Sequence, residues 1–220
     1  MGRYISTIGF SPNLVSRPII ASGVSNGDTV EIIQPEQKTE TAQNKTEDAI
    51  NSVRSTLTGA VGNVSVEVTV LTDLSFTNVV SECSKIIING KPPIVCLGAG
   101  PTDLHIPMVI AATAHQTQIE STMMYSDMEA TPVEIDPPAL TTSLPGVASE
   151  TFKQVGGADE SGISLSQIEI EGGQSRATAS RHIQSLEDNG FVKTEQRKKA
   201  KFASPSLLGE IIYRSMQHSN

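Results

Sequence analysis

Residues 92–115, PPIVCLGAGPTDLHIPMVIAATAH, decide how the larger part of the chain folds. Ile94–Leu97 is a short apolar run behind two prolines, which is typical of a buried strand. The run leads into a glycine loop, Gly98–Asp103, and then into a second apolar segment, Met108–His115. Pro107 suits the first turn of a helix there, because a first-turn residue needs no N–H donor. A strand, a glycine loop and a helix in this order indicate one unit of a parallel α/β sheet.

The same alternation extends upstream of this stretch. Strands are predicted at Arg3–Gly9, Thr29–Gln34 and Val64–Leu71, and helices at Asn13–Gly23, Thr46–Ala60 and Ser75–Asn89. Downstream, the strand-like runs Ile119–Tyr125 and Thr131–Ile135 are close enough in sequence to form an antiparallel extension at the sheet edge. We therefore expect an α/β fold, a Rossmann-like sheet with helices on both faces.

Residues 151–220 follow another pattern, which centres on SLSQIEIEGGQSRATASRHIQSLEDNGFVKTEQRKKAKF over residues 164–202. A short helix, a Gly172–Gly173 turn and a second helix capped by Ser175 precede two short strands around a basic tip, Arg197–Lys199. This order of elements predicts a winged helix-turn-helix.

The predicted DNA-binding face of the second helix lies opposite its apolar stripe of Ala179, Ile183 and Leu186. Arginine can bond guanine through two hydrogen bonds, hydroxyl groups can reach phosphates or base edges, and lysines in the wing can meet phosphates. The candidate DNA-binding residues are Gln174, Ser175, Arg176, Thr178, Arg181, Arg197, Lys198 and Lys199. A winged helix that makes only protein contacts is the alternative here.

Charge is divided unevenly along the chain. The 220 residues carry a net charge of −8, but residues 1–150 hold 7 basic and 16 acidic residues, a net charge of −9. Residues 151–220 hold 9 basic and 8 acidic residues, a net charge of +1. This asymmetry indicates two domains with different partners, of which the second is the candidate for an anionic one.

Composition excludes several classes of protein. Hydrophobic residues make up 37% and charged residues 18%, too few charges for a disordered or coiled-coil chain. No apolar run approaches the roughly 20 residues that span a bilayer, and the N-terminus shows no secretory pattern. Cys83 and Cys96 are too few for a disulfide scaffold or a four-ligand zinc site. We therefore expect reduced thiols in a cytoplasmic protein without membrane contact or bound metal.

Two loops are candidates for ligand binding, Gly9–Asn13 and Gly98–His105. Both follow predicted parallel strands at their carboxyl ends, where open α/β sheets bind ligands. The backbone N–H groups of a glycine-rich loop that leads into a helix can hold phosphates. Gly98–Gly100 matches neither a Walker loop nor a full dinucleotide fingerprint, so the spacing alone leaves the ligand open.

Three segments and their order carry a family resemblance: GFSPNLVSRPII (residues 9–20), GDTVEIIQP (27–35) and CLGAGPTDLHIPMVIAA (96–112), followed by the winged helix. This arrangement resembles the CRISPR-associated Rossmann-fold (CARF) regulators of archaea, in particular the Csa-type CARF–winged-helix transcription factors. One departure is Pro107, which lies where many relatives continue a helix.

The resemblance implies a homodimer that binds a cyclic oligoadenylate across its two sheets, with tetra-adenylate the favoured ring size and no other cofactor. The implied ligand-binding residues are Gly9, Phe10, Ser11, Pro12, Asn13, Gly98, Ala99, Gly100, Pro101, Thr102, Asp103 and His105. It divides the chain into a CARF domain (1–138), a linker (139–150) and a winged helix-turn-helix domain (151–220).

The expected function is ligand-responsive regulation of CRISPR-Cas genes through double-stranded promoter or operator DNA. Two alternatives stay open: a CARF ring nuclease that cleaves its own cyclic ligand, and a nucleotide-sensing regulator outside CRISPR. Cleavage requires a donor for the developing charge. Neither ligand loop holds a lysine or arginine, and the nearest in sequence are Arg17 and Lys91. We therefore expect no catalytic residues and no enzyme activity.

Overall fold

The computed structural model describes residues 1–126, 128–158, 162–197 and 200–217 of the chain. The chain divides into two compact units, Met1–Pro137 and Pro138–Asn220. The predicted linker 139–150 extends too far, because a 3₁₀ turn at Gly146–Ala148 leads directly into a helix and Ala148 is fully buried in the core of the second unit. The proline and glycine at 145–146 therefore begin an ordered element instead of a linker.

The first unit alternates strands and helices. Its strands are β1 (Arg3–Thr7), β2 (Thr29–Pro35), β3 (Ser65–Leu71), β4 (Ile94–Leu97), β5 (Ser121–Ser126) and β6 (Thr131–Ile135), and its α-helices are α1 (Asn13–Ala21), α2 (Glu40–Val61), α3 (Phe76–Ile88) and α4 (Thr102–Ala114). The strand order is β3-β2-β1-β4-β5-β6, and β6 alone pairs antiparallel. The Rossmann-like sheet and its antiparallel edge are thus confirmed.

Adjacent residues of one strand face opposite layers, so the sheet is covered on both sides. In β1, Tyr4 packs in the cluster formed with α1 and α2, whereas Ile5 packs in the cluster formed with α3 and α4. The two cysteines are divided in the same way. Cys96 lies in the first cluster and Cys83 in the second, and burial raises the pKa of Cys96 to about 12 and that of Cys83 to about 11.

Helix α4 begins six residues earlier than the predicted helix Met108–His115. Pro107 lies inside it, where it offers no N–H to the carbonyl four residues back. The helix nevertheless continues, because Leu104 and Met108 on either side of the proline are both fully buried. The first turn closes where the N–H groups of Leu104 and His105 both donate to the carbonyl of Pro101, at 2.9 Å. As a result, the helix begins directly at the glycine loop.

The second unit combines helices with a small antiparallel sheet of order β7-β9-β8. Its elements are α5 (Ser149–Gly156), β7 (Ile163–Ser164), α6 (Leu165–Gly172), α7 (Arg176–Asp188), β8 (Val192–Arg197), β9 (Ala200–Pro205) and α8 (Leu207–Gln217). Phe152 and Phe191 meet edge to face in its core, with ring centroids 5.7 Å apart. The predicted cap of α7 is confirmed, since the Ser175 hydroxyl accepts from the backbone N–H of Thr178 at 3.2 Å.

Within the described ranges of both units, no helix combines the length and the apolar character that crossing a bilayer requires.

Candidate functional site

The two predicted ligand loops meet at the centre of the sheet, where β1 and β4 lie side by side. The Thr7 hydroxyl at the end of β1 donates to the carbonyl of Ala99 in the second loop. A Cβ on Gly9 would lie 3.4 Å from Cα of Gly100, and a Cβ on Gly100 would lie only 2.9 Å from Oγ1 of Thr7. The loops therefore touch backbone to backbone, and glycine permits this approach.

A cleft of about 560 Å³ opens beside this contact. It is lined by Ile8, Gly9, Phe10, Pro35, Glu36, Gln37, Lys38, Thr39, Ala42, Leu74, Gly100, Pro101 and Asp103. The cleft thus brings together five predicted ligand residues from the two loops. Its walls are apolar where Phe10, Pro35 and Leu74 face it, and its rim is polar and charged. The aromatic ring of Phe10 is 58% exposed, although phenylalanine is usually buried.

Sequence reasoning missed the third wall of the cleft, Pro35–Thr39. This segment connects β2 to α2, and the sequence pattern predicts only that a strand, Thr29–Gln34, ends before it. Its position directly after a predicted parallel strand could have identified it. The carboxyl end of β2 lies at the same edge as those of β1 and β4, because all three strands are parallel.

The remaining predicted ligand residues are placed differently. Ser11, Asn13 and Thr102 are exposed near the starts of α1 and α4. Pro12 and Gly98 are half-buried in the two loops. Ala99 is 1% exposed, so its side chain packs in the core and only its backbone is available to a ligand. His105 lies within α4 and outside the lining of the cleft, and its buried Nδ1 has no hydrogen-bond partner among the described residues.

Three cations lie at this edge, although the first unit is acidic. Of its seven lysines and arginines, three lie at the carboxyl ends of the strands: Lys38 lines the cleft, Lys45 Nζ lies 5.7 Å from the ring centroid of Phe10, and Arg17 contacts Tyr125 of β5. The other four, Arg3, Arg54, Lys85 and Lys91, lie toward the amino ends. Tertiary structure thus supplies the cations that the loops themselves lack.

In the second unit, α7 presents two exposed arginines, Arg176 at its first position and Arg181 on the side opposite its buried stripe. Ser175 and Thr178 form the helix cap. Gln174 is turned inward, and its Nε2 donates to the hydroxyl of Thr151 at 2.9 Å.

The Thr151 hydroxyl also lies 2.9 Å from Nδ1 of His182, so one residue of α5 holds both the turn and α7. This contact had no signal in the sequence, because Thr151 lies outside the helix-turn-helix pattern. A second contact holds the far end of α7. Glu187 accepts from the Thr194 hydroxyl and from Lys201 at 3.2 Å, and the hydrogen bond from Thr194 keeps the pKa of Glu187 below its usual value.

The basic tip of the strand pair is described only in part. Arg197 pairs with Glu195 at 2.8 Å, and its guanidinium carbon lies 5.0 Å from the ring centroid of Phe202. Lys198 and Lys199 lie outside the described residues. Arg176 and Arg181 are therefore the two predicted DNA-binding arginines that the structure places on α7, and both are exposed.

The family described as the Csa3 CRISPR-associated Rossmann-like domain matches residues 2–136. Two solved structures align with the chain at 9% identity. Csm6 of Enterococcus italicus, bound to cyclic hexa-2′-fluoro-hexa-dAMP, aligns with a TM-score of 0.51 over 85% of this chain and 49% of its own. Can2 of Sulfobacillus thermosulfidooxidans, in complex with cyclic tetra-adenylate, aligns with a TM-score of 0.40 over 97% and 63%.

The chain thus spans about half the length of the Csm6 chain and less than two thirds of the Can2 chain. No curated protein matches the sequence. The family match covers more than half of the chain and includes both glycine loops and the strands that carry them. By this match, the chain belongs to the Csa3 family of CRISPR-associated Rossmann-like domains.

Proposed function

We propose that the chain is a DNA-binding transcriptional regulator of CRISPR-Cas genes that responds to a cyclic oligoadenylate, with tetra-adenylate the favoured ring. In this proposal, residues 1–138 bind the ligand, 151–220 form a winged helix-turn-helix, and a homodimer is the working form. The observation that carries the proposal is the meeting of two glycine loops beside a cleft with an exposed aromatic ring, in a domain of the Csa3 family.

The chemistry of the cleft suits an adenine nucleotide. An exposed phenylalanine offers a face on which a base can stack, and base–aromatic stacking contributes about 1–3 kcal/mol per base. Lys38 and Lys45 lie beside it and can meet phosphates. Thr102 begins α4 and Asn13 begins α1, and free backbone N–H groups at helix starts favour anions. A volume of about 560 Å³ is within the usual range of small-molecule sites.

The decisive experiment is calorimetry of the full chain with cyclic tetra-adenylate, cyclic hexa-adenylate and linear tetra-adenylate. We expect the cyclic tetramer to bind most tightly. Chromatography of the same mixtures tests the expectation that the chain does not cleave its ligand. Multiple-turnover conversion of the ring to linear product would instead support the ring nuclease, and absence of binding by every ring would leave a nucleotide sensor outside CRISPR.

A homodimer is supported by α4, which is apolar on all sides. Leu104 and Met108 are fully buried on one side, whereas Ile106 and Ile110, one turn apart, are 48% and 41% exposed on the other. Helices that are apolar all round are usually buried on all sides. We propose that a second copy packs on this exposed face, which would bring two clefts to one two-fold ligand.

Charging this face should therefore separate the copies. The wild-type chain is expected to show twice its mass of 23.3 kDa in light scattering. The double variant Ile106→Asp, Ile110→Asp should shift toward a single copy, because each buried carboxylate in an apolar interface is strongly unfavourable. As a control, Ile170→Asp changes an isoleucine of the second unit that is 79% exposed. A dimer that survives the double variant would place the interface elsewhere.

The proposed DNA-binding role is supported by the arrangement of the second unit. Helix α6, the Gly172–Gly173 turn and α7 occur in the order of a helix-turn-helix, and the β8–β9 pair follows as a wing would. The exposed arginines near the start of α7 are where such a helix contacts bases in the major groove. The contacts of Thr151 hold the turn before α7 and the middle of this helix, and those of Glu187 hold its last turn, so the helix is well fixed for recognition.

Arg181→Ala is expected to weaken binding to the preferred duplex by about 1–3 kcal/mol and to relax sequence preference at one base pair. The preferred duplex is first obtained by selection from random sequences, and affinities are then measured by fluorescence anisotropy. Arg214→Ala, which removes an exposed arginine of α8, is the matched control and should leave affinity unchanged. Equal losses on the selected and on random duplexes would make Arg181 a phosphate contact.

Regulation by the ligand requires a coupling free energy between the two sites. If a ligand changes DNA affinity, DNA must change ligand affinity by the same factor, and typical coupling of 1–3 kcal/mol corresponds to roughly 5- to 150-fold. We expect a coupling free energy in the lower half of this range. Titrations of DNA with and without saturating ligand, and then the reverse, measure the coupling in both directions. Identical DNA affinities, in a chain that binds the ligand, would contradict ligand-controlled DNA binding.

A further inference from the structure

We propose that Arg17, held in place by Tyr125, is a phosphodiester-binding residue and forms a second subsite outside the two glycine loops. The inference rests on the proposed function, because it extends the same ligand site toward β5. It assigns a role to two residues that lie 108 positions apart and belong to neither loop. The ligand it requires is an oligonucleotide with more than one phosphate.

The guanidinium of Arg17 is oriented by Tyr125. Its Nη1 donates to the Tyr125 hydroxyl at 2.9 Å, and its central carbon lies 5.8 Å from the ring centroid of the same tyrosine. The tyrosine hydroxyl in turn donates to the carbonyl of Ala130 at 3.0 Å. Ala130 has a positive φ of 52°, a conformation uncommon for residues other than glycine. The phenol is therefore fixed by its own hydrogen bond and can hold the arginine.

This orientation leaves most of the arginine donors available. A guanidinium has five N–H donors, and the planar fork matches two oxygens of a phosphate. Among the described residues, Arg17 has no carboxylate within ion-pair distance, although residues 1–150 have a net charge of −9. Its side chain is exposed on α1. An anion arriving from solvent would thus meet a cation that is already oriented.

The Arg17–Tyr125 pair is continuous with the predicted ligand loops. A Cβ on Gly98 would lie 3.4 Å from the backbone nitrogen of Tyr125, so the tyrosine borders the second loop. Asn13, in the first loop, precedes Arg17 by four residues in the same helix, which places both side chains on one face of α1. The subsite therefore adjoins both loops and shares the carboxyl edge of the sheet.

The position of the pair also limits the size of the ligand. The cleft is lined by segments that follow β1, β2, β3 and β4, whereas Tyr125 belongs to β5. In the observed strand order, β2 and β5 are three strand spacings apart, or roughly 14 Å at about 4.8 Å per spacing. A ligand that places one phosphate at Lys38, which follows β2, and another at Arg17, which is held by β5, must be extended and carry at least two phosphates. An oligoadenylate has that form, whereas adenosine monophosphate has a single phosphate.

The test compares three variants of the full chain by calorimetry with cyclic tetra-adenylate at two salt concentrations. Arg17→Ala is expected to weaken binding about 10- to 100-fold, because it removes a charge-assisted hydrogen bond, and to make the salt dependence shallower. Tyr125→Phe keeps the ring but removes the hydroxyl, so it should weaken binding less than Arg17→Ala does. Arg54→Ala removes an exposed arginine that contacts the carbonyl of Val66 and should bind as the wild type does.

A second probe separates this subsite from the cleft. Adenosine monophosphate should bind equally to the wild type and to Arg17→Ala, since its one phosphate does not reach both places. Thermal unfolding by circular dichroism verifies that each variant is folded. If the wild type binds the ring and Arg17→Ala binds it equally well, this inference is wrong while the proposed function stands. If the wild type binds no cyclic oligoadenylate, the proposed function fails and this inference fails with it.

Discussion

Gly100→Ala is expected to abolish measurable binding of cyclic tetra-adenylate and to lower the free energy of unfolding of the first unit by about 3 kcal/mol. The added Cβ would lie 2.9 Å from Oγ1 and 3.0 Å from Cβ of Thr7, which is 1% exposed and bonded to Ala99. Overpacking of this kind costs typically 1–3 kcal/mol. Gly100 also has a φ of +92°, which adds about 1–2 kcal/mol for alanine. Calorimetry and urea unfolding measure the two effects.

Gly90→Ala separates the two causes. Gly90 has nearly the same φ, +88°, but a Cβ there would have no neighbour within 4 Å. It follows α3 and precedes β4, so it lies at the edge of the sheet away from the loops. We expect this control to lose about 1–2 kcal/mol of stability from backbone strain alone and to keep its affinity for the ligand. Full ligand affinity in Gly100→Ala would show that the contact between the loops does not shape the site.

Gly209→Ala is expected to eliminate DNA binding and to destabilise the second unit by about 3 kcal/mol or more. A Cβ at this position of α8 would overlap with the carbonyl oxygen of Phe191. That oxygen cannot easily move, because it accepts from the backbone N–H of Ser206 at 3.0 Å and the Phe191 side chain is fully buried. Helix α8 must therefore shift, which disturbs the core that α7 packs on.

Gly146→Ala is the matched control for the second unit, because a Cβ there meets nothing within 4 Å and its φ is not positive. Its stability should stay within about 0.5 kcal/mol of the wild type. Both variants should keep their affinity for cyclic tetra-adenylate, since the first unit has its own core. DNA binding by Gly209→Ala at wild-type affinity would mean that α8 does not support α7.

The sequence predicted the sheet well, since the alternation of strand and helix patterns is local. Val64–Leu71 alternates as a half-buried strand, and the apolar run Ile94–Leu97 is bounded by prolines and glycine. The predicted helix boundary was wrong where a proline, which occurs both at helix starts and inside packed helices, lies beside the predicted start of the helix. Pro107 is favoured in the first turn of a helix and is tolerated inside a packed one. Because Leu104 and Met108 are both buried, the helix continues through Pro107.

The site was predictable only in the parts that motifs carry. Both glycine loops were found because each combines glycine with a place directly after a predicted parallel strand, but the segment Pro35–Thr39 and the pair of Arg17 and Tyr125 were not. Their place at the carboxyl edge of the sheet depends on the strand order, which brings β2 and β5 near the loops of β1 and β4. Contacts between residues 108 positions apart are a property of topology, and no local pattern reports them.

The two thiols of the first unit lie in different layers, so their labelling rates can measure the local opening of each layer separately. A thiolate is the species that reacts with disulfide reagents, and burial keeps Cys83 and Cys96 protonated and out of reach. Each sulfur can be labelled only while its layer is open, so labelling kinetics reports the opening of the α3–α4 layer through Cys83 and that of the α1–α2 layer through Cys96. The chain has no further cysteine, so labelling does not report on the second unit. Stabilisation by a ligand would register as slower labelling, layer by layer, without any attached dye.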